Sequence, residues 1–176
     1  LVDLPEEFKP IQKHFDTCVE EKLNVLKELG VVQSTLRTSK TQLLGAQKEL
    51  QRRIGRGERS PDVWHALSLI AETMKVSHAQ ELFETQSLHA TYEYLQKLYH
   101  EAKTTKVKAT KHLVTDSNFK AAYYLIQSLF EKNVEHPKLL LLKDIITKEI
   151  KDNEKILIFN HYRDSAVRLK DMLDHI

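Results

Sequence analysis

Residues that interrupt helices are scarce in this sequence, which has four glycines and four prolines among 176 residues. Such low usage favours long helices joined by few tight turns. Hydrophobic residues make up 41% and charged residues 30% of the chain, a composition that is typical of folded globular proteins rather than disordered ones. No apolar run approaches the roughly 18 residues that a transmembrane helix requires, so no membrane partner is expected.

Disulfide and metal-binding patterns are also missing. Cys18 is the only cysteine, so the sequence offers no internal disulfide, and no CxxC pair is present for zinc. The nine histidines are scattered over different predicted elements instead of being grouped at ligand spacing. The sequence therefore predicts no metal site, and a reducing, intracellular compartment fits it.

Catalytic motifs are absent in the same way. The sequence contains no phosphate-binding loop of the form GxxxxGKS or GxxxxGKT, and no GxSxG, HExxH or EF-hand signature. Paired acids such as Glu6 and Glu7 are expected on solvated helix faces. The sequence therefore predicts no catalytic residue and no cofactor within this chain.

Start and stop signals divide the chain into predicted helices. Residues 60–62, Ser-Pro-Asp, combine a hydroxyl N-cap, a proline at the first helical position and an acid in the first turn. Ser87 and Asp116 are expected to cap two further helices. Pro5 is expected to open the first helix and Gly30 to end it. With apolar residues recurring at helical spacing, these signals predict an all-α fold for most of the chain.

The last part of the chain follows a different pattern. Residues 1–133 are predicted to form a multi-helix, all-α unit, and residues 136–176 a helix–strand–helix fragment of an α/β domain. Ile156 to Phe159 form a continuous apolar run, which is typical of a strand buried on both faces of a parallel sheet. A single strand of this kind has no sheet to join, and the first residue is not methionine. We therefore expect the chain to be a segment of a larger protein.

Positive charge is concentrated in two segments of a chain whose formal net charge is only +2. Residues 52–59 carry four arginines and one acid, and residues 97–120 carry six lysines and two acids. Basic side chains, threonine hydroxyls and free N–H groups at a helix start bind phosphate oxygens without reading base sequence. The predicted nucleic-acid-binding residues are Arg52, Arg53, Arg56, Arg59, Lys103, Lys106, Lys108, Lys111, Lys120 and Tyr94.

Tyr94 is included because it lies off the apolar stripe of its predicted helix, so its ring is expected to be exposed and able to stack on a base. Tyr92 and Tyr99 lie on that stripe and are expected in the core. Trp64 is expected in the core or at an interface. For the basic segments, an ordinary solvated surface is the alternative interpretation, because basic runs are common on helices.

Four stretches of the sequence together resemble a known family. They are LPEEFKPI at residues 4–11, HALSLIAETMKVSHAQELFETQSLHATYEYLQKLY at 65–99, KATKHLVTDSNFKAA at 108–122 and HPKLLLLKDIITKEIKDNEKILIFNHYRDSA at 136–166. On these residues the chain resembles archaeal Hef and its eukaryotic relatives of the Fanconi anaemia M type, which are superfamily two helicases. In that family the first three stretches belong to a thumb-like helical insertion, and the fourth begins the second RecA-like motor domain.

The resemblance implies a function as well as a fold. It implies an insertion that binds forked or branched DNA through the phosphate backbone, within an ATP-dependent helicase or translocase of DNA repair or replication restart. Asn160, Tyr162 and Arg163 match the family's fourth helicase motif, which lies near the nucleic-acid backbone. ATP and Mg²⁺ would be bound by the flanking RecA-like motor domains, outside this chain, in the cytoplasm of an archaeon.

Two other functions stay open from the sequence. The many Tyr, Phe and Leu residues on predicted helices also fit a non-catalytic helical adaptor that binds another protein through an apolar groove. Related helicases that bind double-stranded RNA share part of the pattern at residues 136–166, so RNA is an alternative to DNA. The sequence carries no signal of oligomeric state.

Overall fold

The computed structural model describes residues 5–35, 38–149 and 157–159, together with positions 166 and 170. The helices of these residues confirm the predicted all-α fold class. They are α1 (Lys9–Glu28), α2 (Lys40–Gly55), α3 (Pro61–Thr85), α4 (Leu88–Thr104), α5 (Lys108–Thr115), α6 (Ser117–Glu131) and α7 (Pro137–Glu149). Of the predicted strand, residues 157–159 are described, and they are assigned neither to a helix nor to a strand. Most of the predicted α/β fragment after residue 149 lies outside the described residues, and the domain division near residues 133–136 stays a prediction.

Side chains at the helix starts explain most of the boundaries. Ser60, Ser87 and Asp116 accept hydrogen bonds from backbone N–H groups two or three residues later, so all three predicted N-caps are confirmed. α2 begins with a capping box, in which the Gln42 N–H donates to Ser39 Oγ at 3.2 Å and the Ser39 N–H donates to Gln42 Oε1 at 2.7 Å. These bonds satisfy N–H groups that have no partner inside the helix, and they determine where each helix begins.

Three of the helices end at residues with a left-handed backbone. Gly30 follows α1 with a φ of +70°, and the Val31 N–H donates to the Leu26 carbonyl at 2.9 Å, as in a Schellman motif. Gly57 follows α2 and Asn133 follows α6 in the same arrangement, with φ of +96° and +53°. The predicted end of the first helix at Gly30 is therefore confirmed.

The predicted start of the first helix is wrong. α1 begins at Lys9 rather than beside Pro5, and Pro10 lies in its first turn. Pro5 instead begins a turn, in which its carbonyl accepts a hydrogen bond from the Phe8 N–H at 2.9 Å. Either proline suits a first helical turn, because the missing N–H would have no partner there, so the local sequence does not distinguish them.

α1 and α3 run antiparallel and form the centre of the bundle. The ring centroid of Phe15 in α1 lies 6.1 Å from that of Phe83 in α3 and 6.5 Å from that of Phe119 in α6. These rings belong to the larger of two hydrophobic clusters. It joins one end of α1 and one end of α3 to α4, α5 and α6. A smaller cluster joins the other ends of α1 and α3 to α2, through residues such as Leu26 and Leu50. The two longest helices therefore span both clusters.

α7 is attached to the end of α3 by His136. The buried imidazole donates from Nε2 to the Phe83 carbonyl at 2.9 Å, and its Nδ1 accepts from the Lys138 N–H at 3.3 Å. Burial lowers the pKa of His136, which favours a neutral ring with one donor and one acceptor nitrogen. Lys138 Nζ donates to the Glu84 carbonyl at 2.6 Å. The start of α7 therefore satisfies carbonyls in the last turn of α3 that have no helical partner.

The outer face of α7 is apolar and uncovered. Leu140, Leu141 and Ile145 are exposed, whereas Ile146 is buried. Farther along the chain, Phe159 is also exposed. These side chains present apolar surface that α1–α6 do not cover. Although this face of α7 is apolar, none of the helices in the described ranges is both long enough and apolar enough to cross a lipid bilayer.

Truncation of Phe15 tests the role of the larger cluster. We expect Phe15→Ala to lower the free energy of unfolding by about 3–5 kcal/mol, because it leaves a cavity beside Phe83 and Phe119. Urea denaturation followed by circular dichroism measures the change. The exposed Leu140 provides a control, because Leu140→Ala should change the free energy of unfolding by less than about 0.5 kcal/mol. Equal losses in the two variants would contradict the assignment of Phe15 to the core.

Candidate nucleic-acid interface

A buried group of charges lies where the two hydrophobic clusters meet. Lys22 of α1 has a side chain that is only 7% exposed, and its Nζ lies 2.7 Å from Asp116 Oδ2 and 3.7 Å from Glu72 Oε2. Burial alone would lower the pKa of Lys22, but its hydrogen bond to Asp116 and the nearby carboxylates raise it overall. Burial likewise opposes ionisation of Asp116, yet the hydrogen bonds from Lys22 and from the Phe119 N–H lower its pKa. The group therefore links α1, α3 and the junction of α5 with α6 as charged partners.

Acidic side chains also hold α5 against its neighbours. Glu72 of α3 accepts a hydrogen bond from Ser68 Oγ at 2.9 Å, and its carboxylate lies 3.7 Å from His112 Nδ1 of α5. Thr110 of α5 is fully buried and donates to Glu101 Oε1 of α4 at 3.1 Å. The short helix α5 is therefore held from its inner side by acids of two longer helices.

Five of the predicted lysines lie on α5 or on the segments that flank it. We call Lys103, Lys106, Lys108, Lys111 and Lys120 the lysine surface. They occupy the last turn of α4, the loop that follows it, α5 and the first turn of α6. All five are exposed, and none forms an ion pair with another residue in the described part of the chain. The acids nearest to them in sequence, Glu101 and Asp116, contact Thr110 and Lys22 instead.

The threonine hydroxyls of this region have backbone or side-chain partners within the chain, and their binding of phosphate stays a prediction. The Thr110 hydroxyl is buried against Glu101. Thr104 donates to the Glu101 carbonyl at 3.4 Å, and Thr105 Oγ1 accepts from the Val107 N–H at 3.1 Å. No described side chain caps the start of α5. The lysine ammonium groups and the first backbone N–H groups of α5 are further donors that this region offers to an anion.

The four arginines of residues 52–59, which we call the arginine segment, are partly neutralised by neighbouring acids. Arg52 lies 3.3 Å from Glu49, and Arg53 makes two hydrogen bonds to Glu58, at 2.7 and 2.6 Å. The paired bonds from Arg53 lower the pKa of Glu58. The other two arginines, Arg56 and Arg59, are exposed and form no ion pair with any residue the structure describes.

The two basic segments do not form one patch. The arginines follow the end of α2 and precede α3, whereas α5 contacts α3 at the level of Glu72. Eleven residues of α3 separate Pro61 from Glu72, which corresponds to about 16 Å along the helix axis. The structure therefore places the lysine surface and the arginine segment at different levels of the bundle.

The exposed ring expected for Tyr94 is not found. Tyr94 is half-buried, its ring lies edge-on to His78 with centroids 4.8 Å apart, and its hydroxyl donates to the Lys75 carbonyl at 3.4 Å. Burial, followed by the charge of Glu101, raises the pKa of Tyr94 to about 12. Whether Tyr94 contacts nucleic acid stays a prediction, but its ring has no free face comparable to that of an exposed aromatic residue.

Other aromatic residues are exposed instead. Trp64, in the first turns of α3, is 51% exposed, and Tyr124 of α6 is 62% exposed. Of the two places expected for Trp64, the core or an interface, the exposure excludes the core, and the interface stays a prediction. The position of Trp64 directly after the buried Val63 is the signal that could have predicted its exposure. Neighbouring residues of a helix point about 100° apart, so the residue next to a core residue readily faces solvent.

The remaining predicted residues lie elsewhere. Asn160, Tyr162 and Arg163 fall outside the described residues, so their match to a helicase motif stays a prediction. Within the described ranges, no three His, Cys, Asp or Glu side chains are grouped as metal ligands would be. Cys18 is buried, and burial raises its pKa to about 12 although the nearby charge of Lys22 lowers it, so it is not a reactive thiolate.

Three comparisons with known proteins relate this chain to helicases. The family described as "Putative ATP-dependent RNA helicase, helical bundle" matches residues 7–133. The protein named "Putative ATP-dependent RNA helicase MJ1505", from Methanocaldococcus jannaschii, is 30% identical over 174 residues, which are 98% of this chain and 21% of that protein. The crystal structure of the Pyrococcus furiosus Hef helicase domain superposes with a TM-score of 0.87 at 34% identity, over 99% of this chain and 36% of that one. The chain therefore spans about a fifth of the length of the Methanocaldococcus relative.

Replacing Lys22 by methionine tests the buried charges beneath the lysine surface. At pH 7 we expect Lys22→Met to lower the free energy of unfolding by about 3–5 kcal/mol, because Asp116 and Glu72 stay buried without their cation. In the native protein, the lowered pKa of Asp116 stabilises the fold above its unfolded-state pKa, and this stabilisation is lost as the pH falls through the folded-state pKa. In the variant, protonation instead relieves the unpaired acids. The difference between the two proteins should therefore shrink towards about pH 4.

Denaturation curves at both pH values measure this difference. Lys27→Met, at an exposed position of the same helix, is the matched control and should behave like the native protein at each pH. A deficit of the same size at pH 7 and at about pH 4 would mean that lost packing, and not unpaired charge, causes it.

Proposed function

Because the chain belongs to the helicase helical-bundle family, we propose that it is the nucleic-acid-binding bundle of an ATP-dependent helicase or translocase, and that its substrate is forked or branched DNA. The similarity to the Hef helicase domain over nearly the whole chain supports the assignment to a helicase. The chain spans about a third of that domain and about a fifth of the Methanocaldococcus relative. We therefore assign helicase activity to a larger protein of which this bundle is one part.

The observation that carries this proposal is the lysine surface. Its five lysines are exposed without carboxylate partners among the described residues, while the acids nearest to them in sequence, Glu101 and Asp116, contact Thr110 and Lys22. Phosphate groups are the anions that such a surface fits, because ammonium groups bind them as point charges and helix N–H groups bind them through hydrogen bonds. Contacts of this kind position a duplex and do not read its sequence.

The choice of DNA over RNA rests on the resemblance to archaeal Hef, which implies forked DNA. The matching family and the Methanocaldococcus relative are both described as RNA helicases, so RNA duplex is the second candidate. Phosphate contacts serve either polymer, and contacts to the 2′-hydroxyl are what separate them. Direct competition between matched DNA and RNA duplexes therefore decides the substrate.

We further propose that the motor lies in flanking segments that bind ATP and Mg²⁺. The uncovered apolar face of α7, with Leu140, Leu141 and Ile145, supports a protein partner for this helix, since isolated apolar faces of this kind mark interaction surfaces. The RecA-like motor domain is the partner that we assign to it. Asn160 and Arg163 would then approach the nucleic-acid backbone from that domain. An adaptor that uses the same face to bind an unrelated protein is the alternative.

Charge reversal on the lysine surface tests the proposal. Lys106→Glu, Lys108→Glu and Lys111→Glu combined should weaken binding to all duplex sequences alike and make the plot of log K against log salt less steep by about 3, because about one counterion is released per phosphate contact. The three changes place acids near the start of α5, where the helix dipole favours them, so the fold should persist. Fluorescence anisotropy of labelled duplexes across a salt series measures the effect.

The matched control changes the same number of charges elsewhere. Lys27, Lys48 and Lys132 are exposed on α1, on α2 and after α6, and reversing them alters net charge equally. If both triple variants lose affinity equally, the lysine surface has no special role. If the native chain binds neither DNA nor RNA duplex at low salt, the proposed function is wrong and the adaptor becomes the better interpretation.

A further inference from the structure

Trp64 is an exposed indole with no described partner. It is 51% exposed, and no ring contact, hydrogen bond or cation–π contact joins it to another described residue. In contrast, the half-buried tyrosines Tyr99 and Tyr123 stack on one another, with centroids 4.4 Å apart. An exposed indole forgoes the hydrophobic stabilisation that burial would give. A ligand that covers the Trp64 ring would therefore gain that free energy on binding.

The face of α3 that carries Trp64 leads to the lysine surface. Helical spacing places Trp64, Ser68 and Lys75 on one side of α3. Lys75 lies 3.9 Å from Glu101 in the last turn of α4, two residues before Lys103. Eleven residues separate Trp64 from Lys75, which is about 16 Å along the axis and equals about five base steps of a nucleic-acid strand. The indole therefore lies about 16 Å along α3 from the contact of this helix with α4, whose last turn carries Lys103, and one short strand spans that distance.

The two arginines that shortly precede Trp64 in the sequence are suited to bind phosphate groups. Arg56 and Arg59 precede the start of α3, and both are exposed without an ion pair among the described residues. The nearest acid in α3, Asp62, lies about 200° around the helix from Trp64 and so faces away from it. Aromatic rings next to unpaired arginines are the groups by which proteins bind single-stranded nucleic acid, since bases stack on the ring and phosphates pair with the cations.

We propose that Trp64 stacks on an unpaired base of a single strand that leaves the duplex held by the lysine surface, with Arg56 and Arg59 binding phosphates of that strand. This inference rests on the proposed function, because the lysine surface supplies the duplex from which the strand emerges. It gives the arginine segment a substrate of its own, the single-stranded arm. It also explains why the two basic segments lie at different levels of the bundle.

Tryptophan fluorescence measures contact at Trp64 directly, because Trp64 is the only tryptophan in the chain. Its fluorescence is measured while the chain is titrated with a blunt DNA duplex, with the same duplex carrying a ten-nucleotide single-stranded arm, and with an otherwise identical arm whose nucleotides lack bases. Matching RNA substrates test the second polymer. We expect strong quenching by the arm with bases and little by the blunt duplex or the abasic arm, because stacking needs a base.

Substitution of Trp64 supplies an independent readout. Trp64→Ala should weaken binding of the armed duplex by about 5- to 150-fold, the range expected for loss of one stacked base, and leave binding of the blunt duplex unchanged. Trp64→Phe retains an aromatic ring and should restore most of the affinity. Leu44→Ala, which removes another exposed large apolar side chain, is the matched control and should bind both substrates normally.

The outcomes separate this inference from the proposed function. If the native chain binds the blunt duplex but Trp64→Ala binds the armed duplex equally well, or the abasic arm quenches as strongly as the natural one, the stacking role is wrong and the duplex-binding role stands. If no nucleic acid binds at low salt, both proposals fail. If Trp64 is quenched only when a flanking motor domain is added, the indole covers a protein surface and the inference is overturned.

Discussion

The buried contact between Lys22 and Asp116 is the constraint on which the arrangement of this bundle depends. An ammonium group in the interior is tolerated when carboxylates neutralise it, and here the partner lies 94 positions away in sequence. The residue that supplies this carboxylate also caps α6, so one side chain sets the start of that helix and its position against α1. Glu72 adds the third helix. Three distant parts of the chain are thereby placed by charge as well as by apolar packing.

Because Glu101 and Asp116 contact partners within the chain, they change the balance of charge on the protein surface. Counted along the sequence, Glu101 and Asp116 offset two of the six positive charges between residues 97 and 120. In the folded chain the same two acids contact Thr110, Lys75 and Lys22. The outward-facing side of α5 and its flanks is therefore more positive than the local count suggests. A net charge near zero is compatible with a strongly cationic surface when the acids are turned inward.

Local signals in the sequence were sufficient for most helix boundaries, the start of α1 excepted, and insufficient for the site. Serine and aspartate caps, and the glycine after α1, act through bonds within a few residues, so their positions could be predicted from neighbours alone. The exposure of Tyr94 and Trp64 depends on which helices pack against α3, and that depends on contacts made far along the chain. The Thr110 hydroxyl shows the same limit, since its partner is on another helix. Apolar periodicity indicates that a helix has a buried side, but it does not say which neighbour covers which flank.

α3 is a single unbroken helix of 25 residues, about 37 Å long. His136 is hydrogen-bonded to its last turn, Trp64 lies in its first turn, and α1, α2, α4 and α5 pack against it. Because these neighbours hold α3 on several sides, the helix fixes the separation between the attachment of α7 and the exposed indole. The length of α3 is thus a built-in spacer between an apolar docking helix at one end of the bundle and an aromatic ring at the other.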